Sequence, residues 1–160
     1  CRDMIKYKLK ELASFSVTGL ELALTNQKSK NLERSLSFWP RFNYQLKSNG
    51  LNQQTGNWTK YAFMERRDGQ LYYYCAIPKM KAHPTKFILK DIPAGKYLVV
   101  EHQGAMDQIY ATYEEIYHKL IPKLGLNLEQ TNFLHFEKYD ERFHWNRSSS
   151  IIELWIPLKN

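Results

Sequence analysis

Only two cysteines, Cys1 and Cys75, occur in the 160 residues, one at the extreme terminus and one in a predicted strand, which excludes a disulfide framework and a cysteine-built zinc site. Glycine (7) and proline (6) are scarce. No phosphate loop, dinucleotide fingerprint or nucleophile elbow can be assembled from them. The five histidines, His83, His102, His118, His135 and His144, never fall at the i,i+4 spacing that ligates a metal from one helix face, so neither metal nor cofactor is expected. Long apolar runs are missing too. Leu71 to Pro78 falls far short of the roughly 20 apolar residues that cross a bilayer, and the first residues carry Lys6, Lys8, Lys10 and Glu11, unlike a signal peptide. These absences point to a cytoplasmic protein without membrane contact.

Acidic charge is in deficit, 16 Asp plus Glu against 23 Lys plus Arg, for a net charge of +7. A basic excess can mean nucleic acid. Here the basic residues are spread from Lys6 to Lys159, with no helix-turn-helix pattern and no RNA-binding aromatic signature, so no direct nucleic-acid contact is expected. Aromatics are what the chain has in abundance: 11 Tyr, 8 Phe and 4 Trp make 14%. Tyrosine joins a broad apolar face to a polar tip and suits a half-wet cavity or interface.

The length suits one domain, or two small half-domains sharing a core. Strands are predicted at Ile5–Leu9 and Phe15–Leu24, with Gly19 marking a bulge. Ser29 is a candidate cap for a helix whose stripe runs Leu32, Leu36, Trp39, Asn43 and Leu46, with Phe38 and Phe42 on the adjoining face. Pro40 should kink that helix or delay its start, because proline lacks a backbone donor and crowds the carbonyl of Leu36. Asn49-Gly50 ends it, and Trp58–Glu65, the Arg67-Asp68-Gly69 turn and Leu71–Ile77 read as a hairpin. The same order then recurs. Phe87–Leu89 and Tyr97–Glu101 flank Pro93-Ala94-Gly95, and Asp107 precedes a helix with Ile109, Tyr113, Ile116, Tyr117 and Leu120 on one stripe, distorted near Pro122 and closed by Gly125. Phe133–Tyr139 and Ile151–Leu158 supply a last strand pair.

The recurrence implies two half-domains, residues 4–80 and 85–160, related by a pseudo-twofold axis within a single 1–160 domain. Aligning the last strands by Pro78 and Pro157 sets Tyr74 against Glu153 and Ala76 against Trp155. One half offers an acid where the other offers a phenol. Strand parity places Ile151, Glu153, Trp155 and Pro157 on one face. If that face meets the helices, Glu153 is a buried acid that needs a partner; the alternative is an edge-strand glutamate facing water, and parity leaves both readings open. Trp39, Tyr113 and Phe136 are likewise either core residues or walls of a groove between two helices.

Three segments together resemble the GyrI-like effector-binding domains, which also occur as drug-sensing modules of some AraC-type and MerR-type regulators. They are Ile92-Pro93-Ala94-Gly95-Lys96-Tyr97 leading to Glu101-His102-Gln103-Gly104, the helix from Asp107 through Tyr113 to Pro122, and Phe136–Phe143 followed by Glu153-Leu154-Trp155-Ile156-Pro157. The resemblance implies an α+β fold: duplicated βαββ halves forming a curved antiparallel sheet, both helices on one face and a ligand groove between them. It also implies that an acid in the last strand, four residues before the proline, meets cationic aromatic drugs. Glu153 stands there.

The expected function is a stand-alone multidrug-binding protein for bulky cationic or amphipathic aromatic molecules. Glu153 would supply the charge, and Trp39, Tyr74, Tyr113, Phe136 and Trp155 the stacking walls. Two other readings stand beside it: a hydrolase of reactive cyclopropane-type natural products, with Glu153 as the acid, and a gyrase-inhibitor-like module that binds a protein partner.

Overall fold

Eight strands and two helical segments make up the computed structural model, which describes residues 5–51 and 58–159. Cys1 and the outer repeat limits, 4 and 160, lie outside the described residues. The strands are β1 (Tyr7–Leu12), β2 (Phe15–Ala23), β3 (Lys60–Arg67), β4 (Gln70–Pro78), β5 (Ile88–Ile92), β6 (Gly95–Gln103), β7 (Phe133–Tyr139) and β8 (Ile151–Leu158). They form one antiparallel sheet in the order β1-β6-β8-β7-β3-β4-β2-β5. The fold is α+β, a curled half-barrel sheet with its helices on one side.

The strand order reads alike from both ends: β6-β8-β7 of the second half answers β2-β4-β3 of the first. The outer strands are exchanged. β1 pairs with β6, and β5 pairs with β2, so each half contributes the edge of the other half's sheet. In the β3–β4 hairpin, Asp68 (φ 53°) and Gly69 (φ 79°) both take the left-handed region, the geometry of a two-residue type I′ turn. Gly19 is not a bulge. It sits in unbroken register opposite Ala76, and a Cβ there would come within 1.9 Å of the Cys75 carbonyl oxygen, so glycine is required by the close approach of two backbones.

Helix α1 (Lys28–Ser48) runs through Pro40 without a break in assignment. Its first turn has no Ser29 cap; instead the Asn31 side chain receives the Thr25 backbone N–H at 2.7 Å and returns its own N–H to the Thr25 carbonyl at 2.8 Å. Its buried line is Asn31, Ser35, Phe38, Phe42 and Leu46. The expected line of Leu36, Trp39 and Asn43 is therefore turned to the edge of the core, where Leu36 and Trp39 still pack against it while Phe38 and Phe42 fill the space over the sheet. The second segment comprises a 3₁₀ turn at Met106–Gln108, α2 (Ile109–Glu115), a π-helical turn at Ile116–Leu120 and α3 (Ile121–Leu124). Pro122 explains the distortion, since it has no N–H to give to His118 four residues back. The Ile121 N–H reaches Ile116 instead, and the core line passes through Ile109, Ile116 and Ile121, with Ile121 buried where Leu120 was expected. Gly125, at φ 65°, closes the segment.

The sheet has two buried faces. Phe38, Phe42, Leu46, Ile109, Ile116 and Ile121 from the helices pack on one, with Ile152, Leu154, Ile156 and Leu158 of β8 beneath them. The other face has no helix, yet Val17, Phe63, Tyr74, Tyr97, Phe136 and Trp155 are buried there. Their burial comes from the curl: Phe15 of β2 and Phe136 of β7 approach to 6.1 Å between ring centres, although two strands separate them. Flat packing would hold strands three places apart at roughly 14 Å.

Candidate functional site

Strand alternation decides which side chains reach the helices. On β8 the aliphatic set Ile152, Leu154, Ile156 and Leu158 turns toward them, so Ile151, Glu153, Trp155 and Pro157 turn away. Burying four aliphatics under helices removes more apolar surface from water than burying a set that contains a carboxylate. The expectation that Glu153 lies under the helices is corrected by this parity. Its partners are in the protein: Arg142 donates to it at 2.9 Å and the Trp155 indole N–H at 3.0 Å. Arg142 also holds Asp140 at 2.9 Å and Glu101 at 3.2 Å, completing a three-acid cluster around one guanidinium. Tyr74, Phe136 and Trp155 share that helix-free face. Phe136 stacks on Trp155 at 5.2 Å and Tyr74 on Phe63 at 4.5 Å, as an aromatic core. Of the expected site residues, only Trp39 and Tyr113 stand on the helix side.

The buried acid on the helix side is Glu137. β7 carries an extra residue opposite the Met64–Glu65 step, where Met64 faces His135 and Glu65 faces Phe133. This bulge puts Phe133 on the helix-free face, whereas His135, Glu137 and Tyr139, in register with Leu154 of β8 and Ala62 of β3, face the helices. Glu137 is opposite Ala62 of β3, the two central strands, so the acid lies at the middle of the sheet beside the smallest chiral side chain. Tyr139 donates to Oε1 at 2.6 Å and Tyr113 of α2 donates to Oε2 at 2.8 Å. Burial raises the Glu137 pKa, and the two phenol donors counter that rise. Burial, reinforced by the Glu137 charge, holds both phenols well above their usual pKa, so they remain donors. His135, beside them on the same face, is pushed down to about 4 by burial and is neutral.

A cleft of about 450 Å³ opens onto this carboxylate, lined by Tyr110, Tyr113, Glu114, Tyr117 and His118 from the second helical segment, Lys28 and Asn31 of α1, and Met64, Leu71, His135 and Glu137 of the sheet. Tyr113 and Tyr117 lie near parallel at 6.3 Å, and Tyr113 meets His135 at 4.7 Å. The π-helical turn begins directly after the turn that presents Tyr113. Beyond Tyr139 lies a second cleft of about 410 Å³, walled by Trp39. Trp39 and Tyr139 touch at 5.1 Å and separate the two; the Trp39 indole N–H is fixed on the Tyr73 hydroxyl at 2.9 Å. Among the described residues, no group of three or more His, Cys, Asp or Glu side chains is placed to hold a metal, and no helix is long and apolar enough to cross a membrane.

Sequence reasoning missed Glu137, although it stands inside one of the segments that carry the family resemblance. Alternation in β8 separates an aliphatic set from the Glu153 set without saying which faces the helices, and only the pairing register, with Glu137 opposite Leu154, places this acid on the helix side.

Comparison with known proteins agrees with the geometry. The sequence model of the integron-associated effector binding proteins (Cass2) matches residues 8–158. The transcriptional regulator BrlR of Pseudomonas aeruginosa is 29% identical over 97 residues, 59% of this chain, and the chain spans 35% of the length of that curated relative. The structure of SAV2435 bound to tetraphenylphosphonium has a TM-score of 0.73 at 23% identity, covering 97% of this chain and 94% of that one. An integron cassette protein from the mobile metagenome of Vibrio cholerae has a TM-score of 0.61 at 16% identity, covering 96% and 95%.

Proposed function

The chain belongs to the integron-associated effector binding protein family, and from that premise we propose that it binds bulky aromatic cations in the cleft above Glu137. One observation carries the reading: a buried carboxylate at the centre of the sheet, held by two phenols, faces a cleft walled by tyrosines. An ionised acid in an apolar site is costly unless a cation compensates it. Tyr110, Tyr113 and Tyr117 add flat faces, each worth about 0.5–2 kcal/mol against a well-placed cation. Such a site selects by sign, size and planarity rather than by a pattern of hydrogen bonds, which makes its specificity broad. Tetraphenylphosphonium, the molecule bound to SAV2435, is a suitable probe.

The site residues of this reading are Glu137 for charge, Tyr113 and Tyr139 for orienting it, and Tyr110 and Tyr117 for stacking. Trp39 lines the neighbouring cleft rather than this one. Glu153, with Arg142 as its partner, belongs to the support of the sheet. The test uses a cationic ligand and a neutral one that shares three of its four phenyl rings. Titration calorimetry with tetraphenylphosphonium and with the neutral triphenylphosphine oxide should show at least about tenfold tighter binding of the cation. Equal affinities would remove the charge from the argument.

The raised pKa of Glu137 favours a second reading, in which the same acid gives a proton to a strained electrophilic substrate. Chromatography of a cyclopropane-containing alkylating compound after incubation with the protein checks it. Ring-opened product above the protein-free control supports turnover, and its absence leaves binding alone.

A further inference from the structure

The pairing registers define where the two halves coincide. With Ala76 and Trp155 as equivalents, Tyr61 pairs Ala76 as Phe136 pairs Trp155, and Ala62 pairs Cys75 as Glu137 pairs Leu154. Across the central strands, Tyr61 faces Lys138 and Phe63 faces Phe136, two pairs that exchange under the same operation, while Ala62–Glu137 maps onto itself. The pseudo-twofold axis therefore passes between Ala62 and Glu137. Aligning the helices by Gly50 and Gly125 extends the operation to their side chains. The second cleft then falls on the first: Tyr139 replaces Met64, Lys60 replaces His135, Asn43 replaces His118 and Trp39 replaces Glu114.

The replacement reverses the charge. None of the described residues lining the second cleft is acidic, and its one cation is Lys60, whose Nζ sits 2.8 Å from Asn43 Oδ1 and 5.2 Å from the centre of the Trp58 ring. Burial lowers the Lys60 pKa, and among the described residues it forms no ion pair. Glu137, diagonal to Lys60 across β3 and β7, gives its oxygens to Tyr139 and Tyr113. At the mouth Trp145 is 55% exposed, an unusual position for the largest apolar side chain.

We infer that the second cleft is a separate site for a planar aromatic anion. Its carboxylate or sulfonate would meet the Lys60 ammonium, and its rings would lie among Trp39, Trp58, Tyr139 and Trp145. The inference does not rest on the Glu137 cleft. Tyr139 joins the two, with its ring in the second cleft and its hydroxyl on the acid of the first, so both sites can be filled at once while each retains its own charge.

The experiment is titration calorimetry with 2-naphthoate and its neutral analogue 2-naphthamide, on the parent and on Lys60→Gln and Lys60→Arg. The parent should bind 2-naphthoate at least about tenfold more tightly than 2-naphthamide. Lys60→Gln should lose about tenfold in 2-naphthoate affinity, while Lys60→Arg stays within about threefold of the parent. Saturating tetraphenylphosphonium should leave 2-naphthoate bound. The inference is overturned if the parent fails to saturate by about 1 mM, if Lys60→Gln binds as the parent does, or if tetraphenylphosphonium displaces 2-naphthoate. Should Lys60→Gln fail to fold, the naphthoate-to-naphthamide ratio on the parent and Lys60→Arg decides alone.

Discussion

Replacing Glu137 by glutamine separates the charge of the acid from its shape. In the parent, Oε1 and Oε2 each accept a phenol, at 2.6 and 2.8 Å. Glutamine can still accept one phenol and donate to the oxygen of the other, so packing survives and only the negative charge is lost. A cation about 5 Å from the carboxylate interacts by about 3 kcal/mol at an effective dielectric near 20. Water in the open cleft reduces this, and a loss of ~1.5–3 kcal/mol, or about ten- to hundredfold in tetraphenylphosphonium affinity, is expected. Stability should move little or upward, because burial already raises the pKa of Glu137 and marks its ionised form as unfavourable. Calorimetric titration gives the affinity and a melting curve the stability. Cation affinity in the parent should fall as pH drops through the raised pKa of Glu137, while the variant stays flat over that range. A folded Glu137→Gln protein that binds the cation within about threefold of the parent would refute the reasoning.

Glu153→Gln should behave oppositely: about 1 kcal/mol of stability is lost as Arg142 gives up one of its three acid partners, with cation affinity held within about twofold, measured by urea unfolding and titration. Gly19→Ala should lower stability by at least ~2 kcal/mol, because the new methyl meets backbone rather than a movable side chain; a shift of the urea midpoint checks it. His135, pushed down to about 4, and His102, lowered by burial between Thr112 and the Ala105 carbonyl, take protons more readily when unfolded. The stability they contribute is full above their ordinary value of 6.5 and is lost as pH falls below it, for His135 by up to ~3 kcal/mol toward pH 4. Glu137 works in the opposite sense, so the comparison to make is His135→Gln against the parent: the parent's stability relative to the variant should hold steady above about 6.5 and fall as pH drops toward 4.

Much of the architecture was legible because it is written in local periodicity. The hairpin turn at Asp68-Gly69, the closing glycines Gly50 and Gly125, and the strands Phe133–Tyr139 and Ile151–Leu158 follow from residue types whose backbone preferences act within a few positions. Pro122 likewise announced a distortion, although only the backbone showed a π-helical turn moving the core line from Leu120 to Ile121. The helical stripe of α1 was misplaced by one position because two apolar lines, Phe38–Phe42 and Leu36–Trp39, compete there. Local pattern cannot say which of them will meet the sheet.

The amino-acid sequence alone established the recurrence of elements, the family resemblance, and the sharing of one face by Glu153 and Trp155. Period-two alternation sorts a strand into two sets of side chains but carries no sign, so it cannot say which set lies beneath the helices. That choice is made by the whole molecule. The sheet curls until the aromatics of one face bury each other, and the helices settle on the aliphatic face, where the register of β7 on Leu154 and Ala62 places Glu137. For this reason the acid with the loudest sequence signal ended beside Arg142, and a quieter one at the centre of the sheet came to face the cleft.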